Sequence, residues 1–185
     1  MEQRPAAPAG TELQPPIRQF SGAHDGILRG LNDLAEVPDL AKAMERARSK
    51  AAAVIELFDK VVLVHHADEE QELFVSVQRS CRDAREAAQV QTMVDRLKAE
   101  HRSVEAMWKK VRPAVAHTAA GKVQGPAYTE DVAKLVRLYG EHARFEEEMF
   151  LPLADRILSR NENHMAALDI ALHLRHAPQP RNSYI

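Results

Sequence analysis

The fold is decided by two related stretches, HHADEEQELF at residues 65–74 and HARFEEEMFLP at residues 142–152. In both, a histidine is followed four residues later by a glutamate, which places the two side chains on one face of a helix. In both stretches an adjacent pair of apolar residues follows, Leu73-Phe74 in the first and Phe150-Leu151 in the second. The spacing predicts two helices, each of which carries a histidine and a glutamate on its otherwise apolar face.

These stretches are parts of a longer repeat. Three polar residues recur 77 residues later in the chain: His24, His65 and Glu69 in the first copy, and His101, His142 and Glu146 in the second. Apolar residues follow the same shift, since Ile27 corresponds to Val104 and Leu73 to Phe150. A helical hairpin present twice, packed about a pseudo-two-fold axis, builds a four-helix bundle.

Apolar residues at spacings of three and four predict helices along most of the chain. We expect the first helix to start at Ile17 and end at Pro38, and a bend or break to precede Val54 in the second. The third is expected to be kinked near Pro113 and to stop by Gly121. No segment shows the alternation of a strand, so the fold class is all-α, with an up-down-up-down bundle.

Three further signals complete the domain organisation. Thr129 is a candidate N-cap of the fourth helix, and Pro152 should kink its last turns. Ser159 followed by Glu162 has the form of a capping box that opens a short additional C-terminal helix. We therefore expect a flexible Pro-rich segment at 1–16, the bundle at 17–158, and a C-terminal helix and tail at 159–185.

Composition narrows the function classes. The 185 residues are 45% hydrophobic and 28% charged, and the net charge of −2 gives no basic field for nucleic acid or an anionic membrane. One cysteine, Cys81, excludes an intramolecular disulfide framework and multi-thiolate metal sites. With no long apolar run and no basic-then-apolar leader, we expect a cytoplasmic protein without nucleic-acid or membrane partners.

Nine histidines are many for this length, and four of them lie on the apolar stripes of the four predicted helices. A single histidine on such a stripe is more often a hydrogen-bonded core residue than a ligand. Four on four stripes, together with two inward glutamates, favour a metal site, because a buried carboxylate without a cation is costly. Imidazole and carboxylate ligands suit iron or manganese, and the two glutamates could each bridge two ions.

The pattern resembles the hemerythrin-like family with its HHE cation-binding motif. The H-x-x-x-E-E segments at His65–Glu70 and His142–Glu147 carry the resemblance, with Ala23-His24-Asp25 and Glu100-His101-Arg102 on the other two helices. The resemblance implies a non-haem, oxo- or hydroxo-bridged centre of two iron ions. The metal ligands that it implies are His24, His65, Glu69, His101, His142 and Glu146.

The chain departs from the oxygen-carrying hemerythrins at one position. Their fifth histidine, four residues after the one on the third helix, is Glu105 here. With four histidines, both ions would keep an open position. Glu105 is a candidate additional ligand or an acceptor beside the site, and Tyr139 is a candidate hydrogen-bond donor or a core residue. His66, Glu70, Glu147 and Glu148 lie off the inward positions, which favours roles beside the site or at the surface.

Three functions remain open at this point. The favoured one is a di-iron protein that binds a small diatomic ligand, oxygen or nitric oxide, for sensing, storage or stress response. The second is an enzyme that acts on peroxide or handles iron or nitrosative stress, including iron–sulfur cluster repair. The third is an interaction module whose metal only stabilises the bundle. The sequence leaves open manganese or zinc in place of iron, enzymatic activity, and a homodimer.

Overall fold

The computed structural model describes residues 16–122 and 124–176, and these are almost entirely helical, with no strand among them. The predicted all-α fold class is confirmed. Nearly all of the segment predicted to be flexible, and the last part of the predicted C-terminal tail, lie outside the described residues.

The helices are interrupted by three short π-helical segments, which we number π1 to π3. In chain order the elements are α1 (Pro16–Leu57), π1 (Phe58–Val62), α2 (Leu63–Asp68), π2 (Glu69–Leu73), α3 (Phe74–Arg79), α4 (Ala84–Ala119), α5 (Pro126–Phe145), π3 (Glu146–Phe150), α6 (Leu151–Leu158) and α7 (Glu162–His176). No described helix is both long enough and apolar enough to cross a lipid bilayer.

The chain divides into two compact units, Met1–Arg46 and Ala47–Ile185. In the described part of the first unit, the large apolar side chains of α1 are exposed. They are Ile27, Leu28, Leu31, Leu34, Val37, Leu40 and Met44.

The second unit is a helical bundle in which α4 packs against both α3 and α5, and α7 packs against π2 and α6. Its core consists of two apolar clusters. One includes Phe74, Val94, Phe150 and Ile157; the other includes Phe58, Val104, Trp108 and Leu135. In the sequence of α4, a polar stretch at residues 98–103 separates the residues of one cluster from those of the other. The bundle therefore holds a polar layer between two apolar ones.

The predicted end of the first helix and the predicted break before Val54 are wrong. The first helix does not end at Pro38, and no break precedes Val54, because α1 runs without interruption to Leu57. Proline removes one backbone donor and crowds the preceding turn, but the other hydrogen bonds of a 42-residue helix remain. A proline inside a helix thus proved a weaker stop signal than the sequence pattern implied.

The remaining helix ends follow local rules. Gly121 has a φ of +80°, a left-handed conformation that ends the turn after α4, as predicted. Helix α5 starts earlier than Thr129, at Pro126, where a proline in the first turn needs no donor. Helix α7 is capped by Asn161, whose side chain accepts from the backbone N–H of Asn163, and not by the predicted capping box at Ser159.

Candidate metal centre

Three buried histidines form the first part of the polar layer. They are His66 on α2, His101 on α4 and His142 on α5, each at most 1% exposed. The rings of His66 and His101 are stacked, with centroids 3.9 Å apart and planes 5° from parallel, and His142 meets both edge-on. Three helices thus bring three imidazole nitrogens, one from each ring, within 4.8 Å of one another.

Each of these imidazoles has a carboxylate beside its Nδ1 atom. Glu105 lies 3.2 Å from Nδ1 of His66 and Glu70 lies 2.9 Å from that of His101. The partner of His142 is Glu100, at 3.4 Å. A carboxylate can only accept, so Nδ1 carries the proton and Nε2 presents its lone pair.

The second part of the layer contains His65 and two buried glutamates, Glu69 and Glu146, again with ligand atoms within 4.8 Å of one another. The Oε1 atom of Glu69 lies 3.3 Å from Nε2 of His65, and its Oε2 atom lies 3.2 Å from Nε2 of His101. Glu146 Oε2 lies 3.8 Å from Nε2 of His142. Glu69 therefore directs one oxygen to each histidine group.

Burial and close contact shift the pKa values of these groups in opposite directions. Burial raises the pKa of Glu146 to about 9, with a further contribution from neighbouring Glu69. Burial also opposes ionisation of Glu69, but its interactions with His101 and Glu146 outweigh this and lower its pKa to about 2. Burial and the neighbouring His101 lower the pKa of His66 to about 4. Burial opposes protonation of His101, but its contacts with Glu69 and Glu70 outweigh this and raise its pKa. The layer therefore attracts positive charge, which a proton supplies in part and which a cation could supply in its place.

Unpaired polar atoms test whether the site fits a metal. The Nε2 atoms of His66, His101 and His142 and both carboxylate oxygens of Glu69 are buried and make no hydrogen bond of normal geometry. Buried polar atoms are nearly always paired, and an unpaired one is costly. Five such atoms that converge from three helices, all of them metal-ligand types, fit a bound cation.

The predicted site residues fall into three groups. His65, Glu69, His101, His142 and Glu146 lie together in the second unit, and Glu105 and Tyr139 lie beside them. His24 lies on α1 in the first unit, and its side chain is exposed. The ligand role that the resemblance implies for His24 stays a prediction.

Sequence reasoning underrated His66, which it assigned to the surface or to the edge of the site. In a doublet such as His65-His66, apolar periodicity alone does not show which member points inward. The signal that could have found it was the second H-x-x-x-E pair, His66 with Glu70. The structure buries both His66 and Glu69, so the inward histidine and the inward glutamate come from different pairs.

An apolar cavity of about 810 Å³ adjoins the site and is lined by side chains of the second unit that include Phe58, Val62, Trp108, Leu135 and Tyr139. The ring of Tyr139 also packs edge-on against His142, at 5.8 Å between centroids. Tyr139 is half-buried, and burial raises the pKa of its phenol. The polar layer thus borders space that suits an apolar small molecule.

The fold and these residues define a helical bundle with an internal cluster of imidazoles and carboxylates that could hold a metal ion. The family model for the hemerythrin HHE cation binding domain matches residues 16–154. The chain belongs to this family of cation-binding domains. The comparison with curated proteins gave no match, and neither did the comparison with solved structures.

Proposed function

We propose that the chain holds two iron ions in its polar layer and uses them to bind a small diatomic ligand, oxygen or nitric oxide, for sensing, storage or stress response. Bound iron supplies the redox-active centre for such a ligand. Residues of this chain hold the ions and exclude water.

The observation that carries the proposal is the position of Glu69 between two histidine groups. One of its oxygens faces His65 and the other faces His101, at 3.3 and 3.2 Å. A carboxylate that faces two ligand groups is the arrangement required to bridge two ions. Glu146 belongs to the same cluster as Glu69 and His65 and lies near His142. Its position supports a second bridging carboxylate, from another helix.

The chemistry of the surroundings favours a small ligand over an organic substrate. The cavity beside the site is lined almost entirely by apolar side chains, and Tyr139 connects its wall to the histidines. Oxygen and nitric oxide are apolar enough to enter such space. The carboxylates Glu70, Glu100 and Glu105 are engaged by the imidazoles and by neighbouring arginines, which leaves them unsuited to proton transfer with a substrate.

Metal analysis and an optical spectrum of the purified protein test the proposal. We expect two irons per chain and the charge-transfer bands of a bridged ferric pair. The reduced protein should form a reversible adduct with oxygen or nitric oxide. Glu69→Ala should abolish both, whereas Glu148→Ala, a change at an exposed residue of π3, should preserve them.

Other outcomes would point to the alternatives. Oxidation by air without a reversible adduct, together with peroxide turnover faster than that of free iron, would favour an enzyme. Stoichiometric zinc that stabilises the fold without any ligand-dependent spectrum would favour a structural metal. Either result would refute the diatomic-ligand proposal while leaving the metal site in place.

A further inference from the structure

The apolar cavity of the second unit is a groove that is open to solvent. Leu57, Val61 and Val136 line it, and each of them is 48–65% exposed. A ligand of two atoms is close in size to a water molecule, whose share of the liquid volume is about 30 Å³. The groove holds about 810 Å³, far more than the proposed ligand requires. Exposed apolar surface of this kind marks a site of interaction with a larger partner.

One face of α1 in the first unit has the complementary character. Ile27, Leu28, Leu31 and Leu34 follow one another at helical spacing, and all four are 54–60% exposed. His24 lies three residues before Ile27 and four before Leu28, on the same face. We refer to these five residues as the α1 stripe. A stripe of this pattern is typical of a helix that packs against another apolar surface.

We propose that the α1 stripe of one copy of the chain occupies the groove of a second copy, and that the exchange is reciprocal, so that two copies form a dimer. Each bundle then gains a further helix from its partner. The exchange also brings His24 of one copy to the polar layer of the other. This dimer does not depend on the function proposed above, because it concerns only how the apolar surfaces of the fold are covered.

The continuity of α1 favours a second copy over the same chain. This helix runs from Pro16 to Leu57 without interruption, and its last turns, from Ala47 onward, form one wall of the groove. An uninterrupted helix cannot fold back along its own length, so its stripe cannot lie beside a wall that its own later turns form. The stripe of another copy is not restricted in this way. Exchange of an identical element between two copies is a low-cost route to a dimer.

The stripe and the groove agree in length and register. The stripe extends over ten residue steps, about 15 Å along a helix. The wall that α4 contributes runs from Trp108 to Thr118, which is the same distance along a helix. The shift of 77 residues relates Leu31 to Trp108 and Leu34 to Val111, both of which line the groove. The stripe therefore has the spacing of a helix that packs in this bundle as α4 does.

The same register gives His24 a place beside the polar layer. The shift relates His24 to His101, which is buried in that layer. Tyr139 marks the end of the groove nearest to the layer, since it lines the groove and packs against His142. A stripe docked in this register covers Trp108 with its apolar residues and carries His24 past Tyr139. The exchange thus explains why a predicted site residue is exposed within a single copy.

Light scattering coupled to size-exclusion chromatography tests the dimer on the full-length, metal-free protein. We expect a mass of twice the 20.7 kDa of one chain. Leu31→Asp in the stripe and Val136→Asp in the groove should each raise the dimer dissociation constant at least 10-fold, because each puts a charge into an apolar contact. Both residues are exposed in a single copy, so circular dichroism should show unchanged helicity. The matched controls are Arg29→Asp and Arg137→Asp, which change exposed residues outside the stripe and the groove and should stay dimeric.

Mixing the two defective chains tests whether the groove is filled by another copy. The Val136→Asp chain has an intact stripe, and the Leu31→Asp chain has an intact groove, so the mixture should regain dimers that hold one of the two contacts. Inserting about four Gly and Ser residues between Pro38 and Asp39 allows α1 to form a hairpin. The inserted chain should then cover its own groove and shift toward a monomer of unchanged helicity.

A wild type that stays monomeric at every concentration measured would overturn the proposed dimer. So would a dimer that Leu31→Asp and Val136→Asp leave as tight as before, a mixture that regains no dimer, or an inserted chain that dimerises as tightly as the wild type. None of these measurements needs iron or a diatomic ligand. Failure of the dimer and failure of the proposed function are therefore distinguishable.

Discussion

Replacing Glu146 with glutamine separates the stability of the fold from the stability that metal adds. Glu146 is 6% exposed and lies beside a second buried carboxylate, Glu69. Because the pKa of Glu146 is raised to about 9, this group is uncharged in the metal-free protein at neutral pH. A glutamine has a similar shape and no charge in either the folded or the unfolded state, so metal-free Glu146→Gln avoids the cost of protonating this group on folding and should be at least as stable as the wild type at pH 7.

The stabilisation that metal adds should differ between the wild type and Glu146→Gln. A cation at 100 times its dissociation constant stabilises a folded protein by about 2.7 kcal/mol. For a chain of this size, that free energy corresponds to a rise of about 5–10 °C in Tm. The glutamine amide is a poor substitute for a carboxylate that faces a cation, so we expect most of this rise to be lost in Glu146→Gln.

Thermal unfolding followed by circular dichroism, with chelator and then with anaerobic iron(II), measures both quantities. Glu148→Gln is the matched control, since it makes the same change at an exposed residue two positions away. A Glu146→Gln protein that kept the full metal-dependent rise would refute the reasoning. A large loss of stability in the chelated variant would show instead that the carboxyl supports the fold.

Three other predictions concern the core, an ion pair and the first unit. Ile157 is fully buried, so Ile157→Ala should lower the free energy of unfolding by about 2–5 kcal/mol in urea, and a loss below about 1 kcal/mol would contradict the core assignment. Arg160 donates to both carboxylate oxygens of Glu86 and lowers the pKa of Glu86 to about 2. The stability that this ion pair adds to the fold is present above the unfolded pKa of 4.5 and is lost as pH falls toward 2. Glu86→Gln should therefore be less stable than the wild type at pH 6, and the gap should narrow on acidification; a gap independent of pH would exclude the ion pair as its source. His24→Ala should lower the iron content without changing the metal-free Tm, since His24 is exposed, and unchanged iron would remove it from the ligand set.

Much of the polar layer could be predicted from spacing. His101 and His142 lie on long apolar stripes, where a polar residue at a core position is conspicuous, and the structure buries both. Glu69 and Glu146 follow from the four-residue spacing and are likewise buried. Patterns of this kind are reliable because burial on a regular helix repeats with the turn.

Other features depend on contacts between helices, which periodicity does not encode. The edge-on packing of Phe74 against Phe150, with centroids 5.1 Å apart, joins two different helices, and the spacing within either helix does not predict it. The burial of His66 was missed for a similar reason, because its carboxylate partner, Glu105, comes from a different helix. The course of α1 through Pro38 was missed because a local stop signal was given too much weight.

The π segments have a consequence for how the chain tolerates insertion and deletion. Both π2 and π3 begin at a glutamate of the polar layer, Glu69 and Glu146, and end just before or at a core phenylalanine, Phe74 or Phe150. A π turn holds one more residue than an α turn, and one residue corresponds to about 100° of rotation. Deleting a residue inside π2 would leave the ligands upstream in place but rotate Phe74 and everything after it out of the core. Each π turn thus sets the rotation between two parts of one helix, so that the residues before it face the polar layer and the residues after it face the apolar core.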